Sequence, residues 1–124
     1  MDRLEYLLNK QKELHIMLGQ KREWYNDATL NDKILIFVDA MIDECSEIKQ
    51  GLNWKPWKNK EPIDHDYIKE ELIDILHFWL DAANQLDMNS YEILEKYDAK
   101  HKENQNRQID GGKDGRSNYV VRGH

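Results

Sequence analysis

Residues 68–86, IKEELIDILHFWLDAANQL, decide the fold class of this chain. An α-helix turns once in roughly 3.6 residues, so apolar side chains spaced three or four apart share one face. The stretch has such a stripe at Ile68, Leu72, Ile75, Trp79, Ala83 and Leu86. We predict a core-facing helix over residues 64–86 with Asp64 as its N-cap.

Other segments have the same helical character. A preceding stripe predicts a helix over residues 31–51, with Cys45 as core filler; its members are Ile34, Val38, Met41, Cys45, Ile48 and Leu52. Both prolines fall in the Gly-, Asn-, Trp- and Lys-rich stretch 51–63, which is typical of a loop. Further helices are expected over 2–19 and from Ser90 to near Arg107. Because no segment alternates with period two, we predict an all-α antiparallel bundle of about four helices over residues 1–108 and a flexible tail over 109–124.

Charge and composition exclude several classes of protein. The chain has 124 residues, enough for one domain, and its 24 acidic and 18 basic side chains give a net charge of −6. That charge disfavours nucleic-acid binding, although an anionic nucleotide can bind together with divalent cations. A single cysteine allows no intrachain disulfide, and no apolar run approaches the roughly 18 residues of a membrane span. We expect a cytoplasmic protein without membrane or nucleic-acid partners.

Two pairs of acidic residues stand on the two central helices. Glu44 and Glu47 are three residues apart on one flank of their helix, and Glu71 and Asp74 are three apart on the corresponding flank of the next. If the helices pack antiparallel, the four carboxylates converge, and bound Mg²⁺ would relieve their repulsion. The alternative is that all four are solvated flank charges, and spacing alone leaves both interpretations open.

Three more features have both a structural and a functional interpretation. His77 follows Asp74 by one turn, so a hydrogen-bonding role at the acidic site is reasonable. Trp57 and Lys58 lie in the loop, where an indole and an ammonium group either cap the core or stack a base and meet phosphates. One face of the last helix carries Lys100, Asn104 and Arg107. These residues either favour the helix dipole or form a phosphate clamp.

Together these motifs resemble a known family. Glu44-x-x-Glu47 and, after 23 intervening residues, Glu71-x-x-Asp74 resemble the metal-binding motif of the MazG-like all-α nucleoside triphosphate pyrophosphohydrolases. The remaining motifs are similar to those of one branch, the dimeric all-α dUTPases. They are Gln11-x-x-Leu14, Trp54-Lys-x-Trp57-Lys58, His77-Phe78 and Lys100-x-x-x-Asn104-x-x-Arg107.

The resemblance implies a function and a set of roles. It implies a homodimer that uses Mg²⁺, with Mn²⁺ as a substitute, to hydrolyse dUTP to dUMP and pyrophosphate. The enzyme would also accept dUDP and would keep uracil out of DNA. Glu44, Glu47, Glu71 and Asp74 would hold the metal, and Glu47, with Glu44, would orient or deprotonate water. Phosphates would bind to Lys58, Lys100, Asn104 and Arg107. Gln11 would form a hydrogen bond with the uracil edge, and His77 with Phe78 would lie against the deoxyribose. Trp57 would enclose the base bound in the site of a neighbouring subunit.

The chain departs from the family pattern at two places. The family often has Asn four residues after the glutamine, where this chain has His15, and a Tyr about five positions after the arginine, where this chain has a Gly-rich segment. In this chain Tyr119 or Ser117 in the tail would close over phosphates instead. Two other functions stay open: a MazG-like enzyme for another nucleotide such as dCTP or a modified base, and a helical module that binds a protein without catalysis.

Overall fold

The computed structural model describes residues 2–111, which form five helices and no strand. They are α1 (Arg3–Lys21), α2 (Glu23–Asp27), α3 (Leu30–Gln50), α4 (His65–Gln85) and α5 (Ser90–Gly111). The all-α class predicted from the apolar spacing is confirmed. Over these same residues, none of the helices combines the length and apolar character needed to cross a membrane.

Side-chain caps explain where three of the helices begin. The Asp2 carboxylate accepts a hydrogen bond from the backbone N–H of Glu5 at 2.7 Å and starts α1. The Thr29 hydroxyl accepts from the N–H of Asp32 at 3.1 Å and starts α3. The Asp64 carboxylate accepts from the N–H of Tyr67 at 3.1 Å, which confirms the predicted cap of α4. Each cap satisfies an N–H that has no partner inside its own helix.

One helix was not predicted, and another ends later than expected. The short helix α2 was not predicted, because five residues are too few to show a helical period. Helix α5 continues to Gly111, past the expected end near Arg107. The rest of the predicted tail, including Ser117 and Tyr119, lies outside the described residues.

The chain divides between Asn89 and Ser90 into two compact units. In the first, α3 and α1 both pack along α4, and α2 packs against α1. The Asn84 amide of α4 donates to the Leu8 carbonyl near the start of α1 at 2.9 Å, so α1 and α4 run antiparallel. The small core contains Leu8, Tyr25, Phe37, Leu80 and Ala83. The second unit is α5, with its residues described only up to Gly111.

The apolar stripes of α3 and α4 are only partly buried. Alternate members are half-buried or, for Ala83, buried: Ile34, Met41 and Ile48 on α3, and Ile68, Ile75 and Ala83 on α4. The members between them are exposed: Val38 and Cys45 on α3 with Leu52 just after it, and Leu72 and Trp79 on α4 with Leu86 as its C-cap. The prediction that Cys45, Leu72 and Trp79 fill the core of this chain is therefore wrong. The spacing located one apolar face correctly, but a neighbouring helix covers only one side of that face.

Candidate active site

Three carboxylates from two helices meet at one end of the α3–α4 pair. Glu44 and Glu47 lie one turn apart near the end of α3, and Glu71 lies in the second turn of α4. The end of α3 faces the start of α4, and one carboxylate oxygen from each residue lies within 4.8 Å of the others. Asp74, the fourth predicted ligand, lies outside this group, and its side chain is exposed one turn further along α4.

Crowding raises the pKa of two of these acids. A hydrogen bond with Glu71, reinforced by the charge of Glu71, raises the pKa of Glu47. A hydrogen bond with Glu44 raises the pKa of Glu71, and burial and the charges of Glu44 and Asp74 contribute less. The neighbouring hydroxyl of Tyr67 also has a raised pKa, from partial burial and then from the charges of the three glutamates. The raised pKa values follow from the close approach of like-charged groups in this cluster.

The carboxylates fit a hard divalent cation. Oε2 of Glu44 and Oε2 of Glu71 are buried and accept no hydrogen bond from any group in the described range. A buried oxygen without a partner is costly, because it has lost its hydration. Mg²⁺ prefers carboxylate oxygens, and binding it would satisfy both atoms and relieve the repulsion between the acids.

A cavity of about 480 Å³ opens beside the carboxylates and is bordered by α1, α2, α3 and α4. Its wall includes three residues that were predicted to contact base and sugar: Gln11, His77 and Phe78. Glu44 and Asp74 belong to the same wall. Glu44 is thus a member of both the carboxylate group and the cavity wall, so the two features form one continuous site.

Gln11 lies at the centre of a hydrogen-bond network in this cavity and is only 5% exposed. Its amide nitrogen donates to Oδ1 of Asp81 at 2.6 Å and to the backbone carbonyl of His77 at 3.5 Å. Its amide oxygen lies 2.8 Å from Nδ1 of His77. Both ends of the Gln11 amide are therefore held by α4.

Several residues of the wall were not predicted as site residues, and His15 and Asp81 are the most notable. The His15 ring stacks on Tyr25, with ring centres 5.2 Å apart, and meets Phe37 edge-on at 5.3 Å. Its Nε2 lies 2.7 Å from Oδ1 of Asp81, although the approach is too oblique for a hydrogen bond. The spacing of Asp74, His77 and Asp81 along one helix face could have identified Asp81, whereas the short α2 gave no signal for Tyr25.

The loop residues Trp57 and Lys58 do not line this cavity. Trp57 is 71% exposed and meets Trp54 edge-on, with ring centres 5.9 Å apart. The Asn53 side chain closes the base of the loop, because its amide donates to the Glu61 carbonyl at 2.9 Å and accepts from the Glu61 N–H at 2.8 Å. The loop therefore presents Trp57 outward.

Three of the four predicted phosphate ligands lie on α5, in the second unit, and the fourth, Lys58, lies in the loop of the first unit. Lys100, Asn104 and Arg107 share one face of this helix, as their spacing predicts. Glu103 contacts two of them, because its carboxylate lies 4.0 Å from Nζ of Lys100 and accepts a hydrogen bond from the Arg107 guanidinium. A phosphate that binds both cations has to compete with Glu103.

Comparisons with known proteins point to one chemistry. A family model for dUTPase matches residues 3–92 of this chain. The chain is 30% identical to the dCTP pyrophosphatase of Enterobacteria phage T4, with 89% of this chain and 82% of that protein covered. It is 28% identical to the dCTP pyrophosphatase of Enterobacteria phage LZ5, with 90% and 83% covered. It is also 30% identical to a DNA replication protein of phage T4, of which it covers 34%. No solved structure matches the chain.

Proposed function

Because this chain belongs to the all-α dUTPase family of nucleotide pyrophosphohydrolases, we propose that it hydrolyses a pyrimidine deoxyribonucleoside triphosphate to the monophosphate and pyrophosphate. The observation that carries this proposal is the position of Glu44, which belongs to the carboxylate cluster and to the wall of a cavity large enough for a pyrimidine nucleoside. A nucleoside in that cavity would have its phosphates beside the acids.

The cluster supplies what phosphoanhydride hydrolysis requires. Glu44, Glu47 and Glu71, with Asp74 one turn away, would hold Mg²⁺ or Mn²⁺, and the bound cation would neutralise charge on the triphosphate. Glu47, whose pKa is raised by its hydrogen bond with Glu71, is suited to orient an attacking water and accept its proton. Lys100, Asn104 and Arg107 on α5, together with Lys58, would bind phosphate oxygens.

Two substrates have specific support. The family match supports dUTP, whose hydrolysis to dUMP keeps uracil out of DNA, and dUDP would be accepted as a shorter analogue. The phage relatives support dCTP, because they are dCTP pyrophosphatases that align over most of this chain. His77 and Phe78 would lie against the deoxyribose in either case and leave little room for a 2′-hydroxyl.

The working unit is proposed to be a homodimer. The exposed apolar residues of α3 and α4 are the support for this state, since a second copy of the chain would bury them. Trp57 lines no part of the cavity of its own chain, and in a dimer it would enclose the base in the partner's site.

A substrate panel tests the proposal. Purified protein with Mg²⁺ should release pyrophosphate from dUTP or dCTP much faster than from UTP, dTTP or dATP. Equal rates on all five nucleotides would exclude pyrimidine selectivity. Failure to release pyrophosphate from any of them, with Mg²⁺ or Mn²⁺, would exclude the enzymatic function.

A further inference from the structure

We propose that Asp81 is a positioning residue, which acts through the Gln11 amide to fix the ring orientation and the proton position of His77 before a nucleotide binds. Asp81 belongs to the cavity wall but is only 3% exposed, so it acts on a ligand through these two side chains. This inference rests on the proposed function for the identity of the ligand, and it concerns dUTP and dCTP equally.

The partners of the Gln11 amide on α4 fix which end of the amide is which. An ionised carboxylate accepts hydrogen bonds and donates none, and a backbone carbonyl is likewise only an acceptor. The Asp81 carboxylate and the His77 carbonyl lie 2.6 and 3.5 Å from the same end of the amide. That end is therefore the NH₂ group, and the opposite end, which faces the His77 ring, is the amide oxygen. The short, charge-assisted contact with Asp81 is the main determinant of this orientation.

The amide oxygen in turn fixes the proton on the His77 ring. An amide oxygen cannot donate, and it lies 2.8 Å from Nδ1, so Nδ1 carries the proton and donates to Gln11. In the neutral ring, Nε2 is then a hydrogen-bond acceptor. Because His77 is exposed and lines the cavity, Nε2 is the ring nitrogen left for a ligand. Asp81 thus determines, through one intervening side chain, which hydrogen-bonding group His77 offers.

Burial makes this arrangement strongly favoured over its reverse. Gln11 is 5% exposed and Asp81 3%, so water does not replace a lost partner. A reversed amide would set its oxygen against the Asp81 carboxylate, which leaves two buried acceptors facing each other. A wall that is ordered before binding lowers the cost of ordering it when a nucleotide arrives. The N3–H of uracil, the amino group of cytosine and a sugar hydroxyl can all donate to Nε2, so Asp81 should affect both nucleotides alike.

His15 contacts the same carboxylate oxygen, and its effect has to be separated from that of Gln11. Nε2 of His15 lies 2.7 Å from Oδ1 of Asp81. His15→Phe removes this contact and keeps a ring that can stack on Tyr25. If Asp81 acts through Gln11, the His77 tautomer in His15→Phe should equal that of the wild type. A changed tautomer in this variant would contradict the route through Gln11.

Nitrogen NMR on the full chain at pH 8 tests the proton position. Long-range proton–nitrogen correlation spectra distinguish the two neutral tautomers, and the His77 signals are assigned from a His77→Gln sample. We expect the wild type to carry the proton on Nδ1. Asp81→Leu is similar in size but has no acceptor, so it should lose the single tautomer, whereas Asp81→Asn keeps an acceptor oxygen and should retain it. Asp39→Leu, the same change at an exposed position of α3, is the matched control.

Binding of dUMP and dCMP, followed in the same spectra, tests the consequence for the ligand. Asp81→Leu should raise the Kd of both nucleotides at least about tenfold, and Asp81→Asn should stay within about threefold of the wild type. In steady-state kinetics with dUTP and dCTP, Asp81→Leu should raise KM with little change in kcat. The reason is that the wall contacts the nucleoside in the ground state and in the transition state alike.

Three results would overturn the inference. They are a wild-type His77 with its proton on Nε2, an Asp81→Leu variant that keeps the single tautomer or the wild-type Kd values, and an Asp81→Asn variant as impaired as Asp81→Leu. If Asp81→Leu does not fold, Asp81→Ala makes the same test. A protein that shows the expected tautomers and nucleotide binding but hydrolyses no nucleotide would defeat the proposed function and leave this inference standing.

Discussion

Among single residues, Glu47 has the position expected of the group that activates water. It belongs to the carboxylate cluster, and the hydrogen bond with Glu71 that raises its pKa makes it a better base for a water proton. We expect Glu47→Gln to lower kcat by about 10²- to 10⁴-fold, the usual contribution of general-base catalysis. The helix content, measured by circular dichroism, should stay at the wild-type level. Glu70→Gln, an exposed neighbour of the cluster, should keep its activity. A large loss of fold in Glu47→Gln would mean that Glu47 is structural.

The raised pKa of Glu71 predicts a pH dependence of stability. The ordinary value is 4.5, and the hydrogen bond with Glu44 raises the pKa in the folded chain, so the folded state binds more protons above that pH than the unfolded state does. This contribution to stability is complete below pH 4.5 and is lost as the pH rises through the raised pKa. In EDTA at pH 8, Glu71→Gln should therefore have a higher melting temperature than the wild type, and this difference should disappear by pH 5.

Mg²⁺ provides the matching control for that experiment. At pH 8 it should raise the melting temperature of the wild type more than that of Glu71→Gln, because the wild type loses its charge repulsion when the cation binds. Glu70→Gln should behave like the wild type throughout. If the melting temperatures of Glu71→Gln and wild type differ by the same amount from pH 5 to pH 8, the fold does not raise the pKa of Glu71.

At the scale of structural elements, the 51–63 loop depends on the Asn53 side chain. Asn53→Ala removes both hydrogen bonds to Glu61, which lie in an exposed region, so the free energy of unfolding should fall by about 1 kcal/mol. Denaturant titration measures the change. Turnover should fall as well if Trp57 encloses the base, because the loop would no longer hold the indole in place. Asn59→Ala, in the same loop, is the control, and an equal loss of stability in both variants would contradict the role of Asn53.

Helix α5 presents its cations already paired with an acid. Glu103→Gln removes the charge that competes with phosphate for Lys100 and Arg107, so the KM for the nucleotide should fall several-fold while kcat changes little. Steady-state kinetics at low ionic strength measure the effect, and Glu95→Gln on the same helix serves as the control. A rise in KM would instead indicate that Glu103 holds the cations in their productive positions.

At the scale of the whole molecule, the exposed apolar positions of α3 and α4 predict self-association. Leu72 is 53% exposed, Trp79 39% and Leu86 54%, and they follow one another at seven-residue spacing on α4 and its C-cap. A lysine in such a surface loses burial and introduces a charge, so Leu72→Lys should weaken dimerisation at least about tenfold in analytical ultracentrifugation. Ile16→Lys, at another exposed apolar position, is the control. A monomeric wild type would contradict the prediction.

A dimer with shared sites also predicts complementation. Mixing Glu47→Gln with Trp57→Ala subunits should restore activity, because one site of each heterodimer then combines an intact Glu47 with the partner's intact Trp57. No recovery is expected if Trp57 serves its own chain.

The sequence by itself determined the helical class, the cap at Asp64 and the pairing of acids on α3 and α4. These follow from local physics, since helical period and cap chemistry need no distant partner. Spacing along α4 also put His77 one turn from Asp74, and the structure has both on the wall of one cavity. Such information is carried within a single helix.

Only the tertiary structure decided which helix face meets which neighbour. It left Leu72 and Cys45 exposed, separated Asp74 from the other three acids, and brought Asp81 of α4 to Gln11 of α1. The physical reason is that apolar spacing indicates which side chains share one face of a helix, but does not indicate how much of that face a neighbouring helix covers. Contacts between Gln11, His77 and Asp81 join positions 66 to 70 residues apart, and only packing brings such positions together.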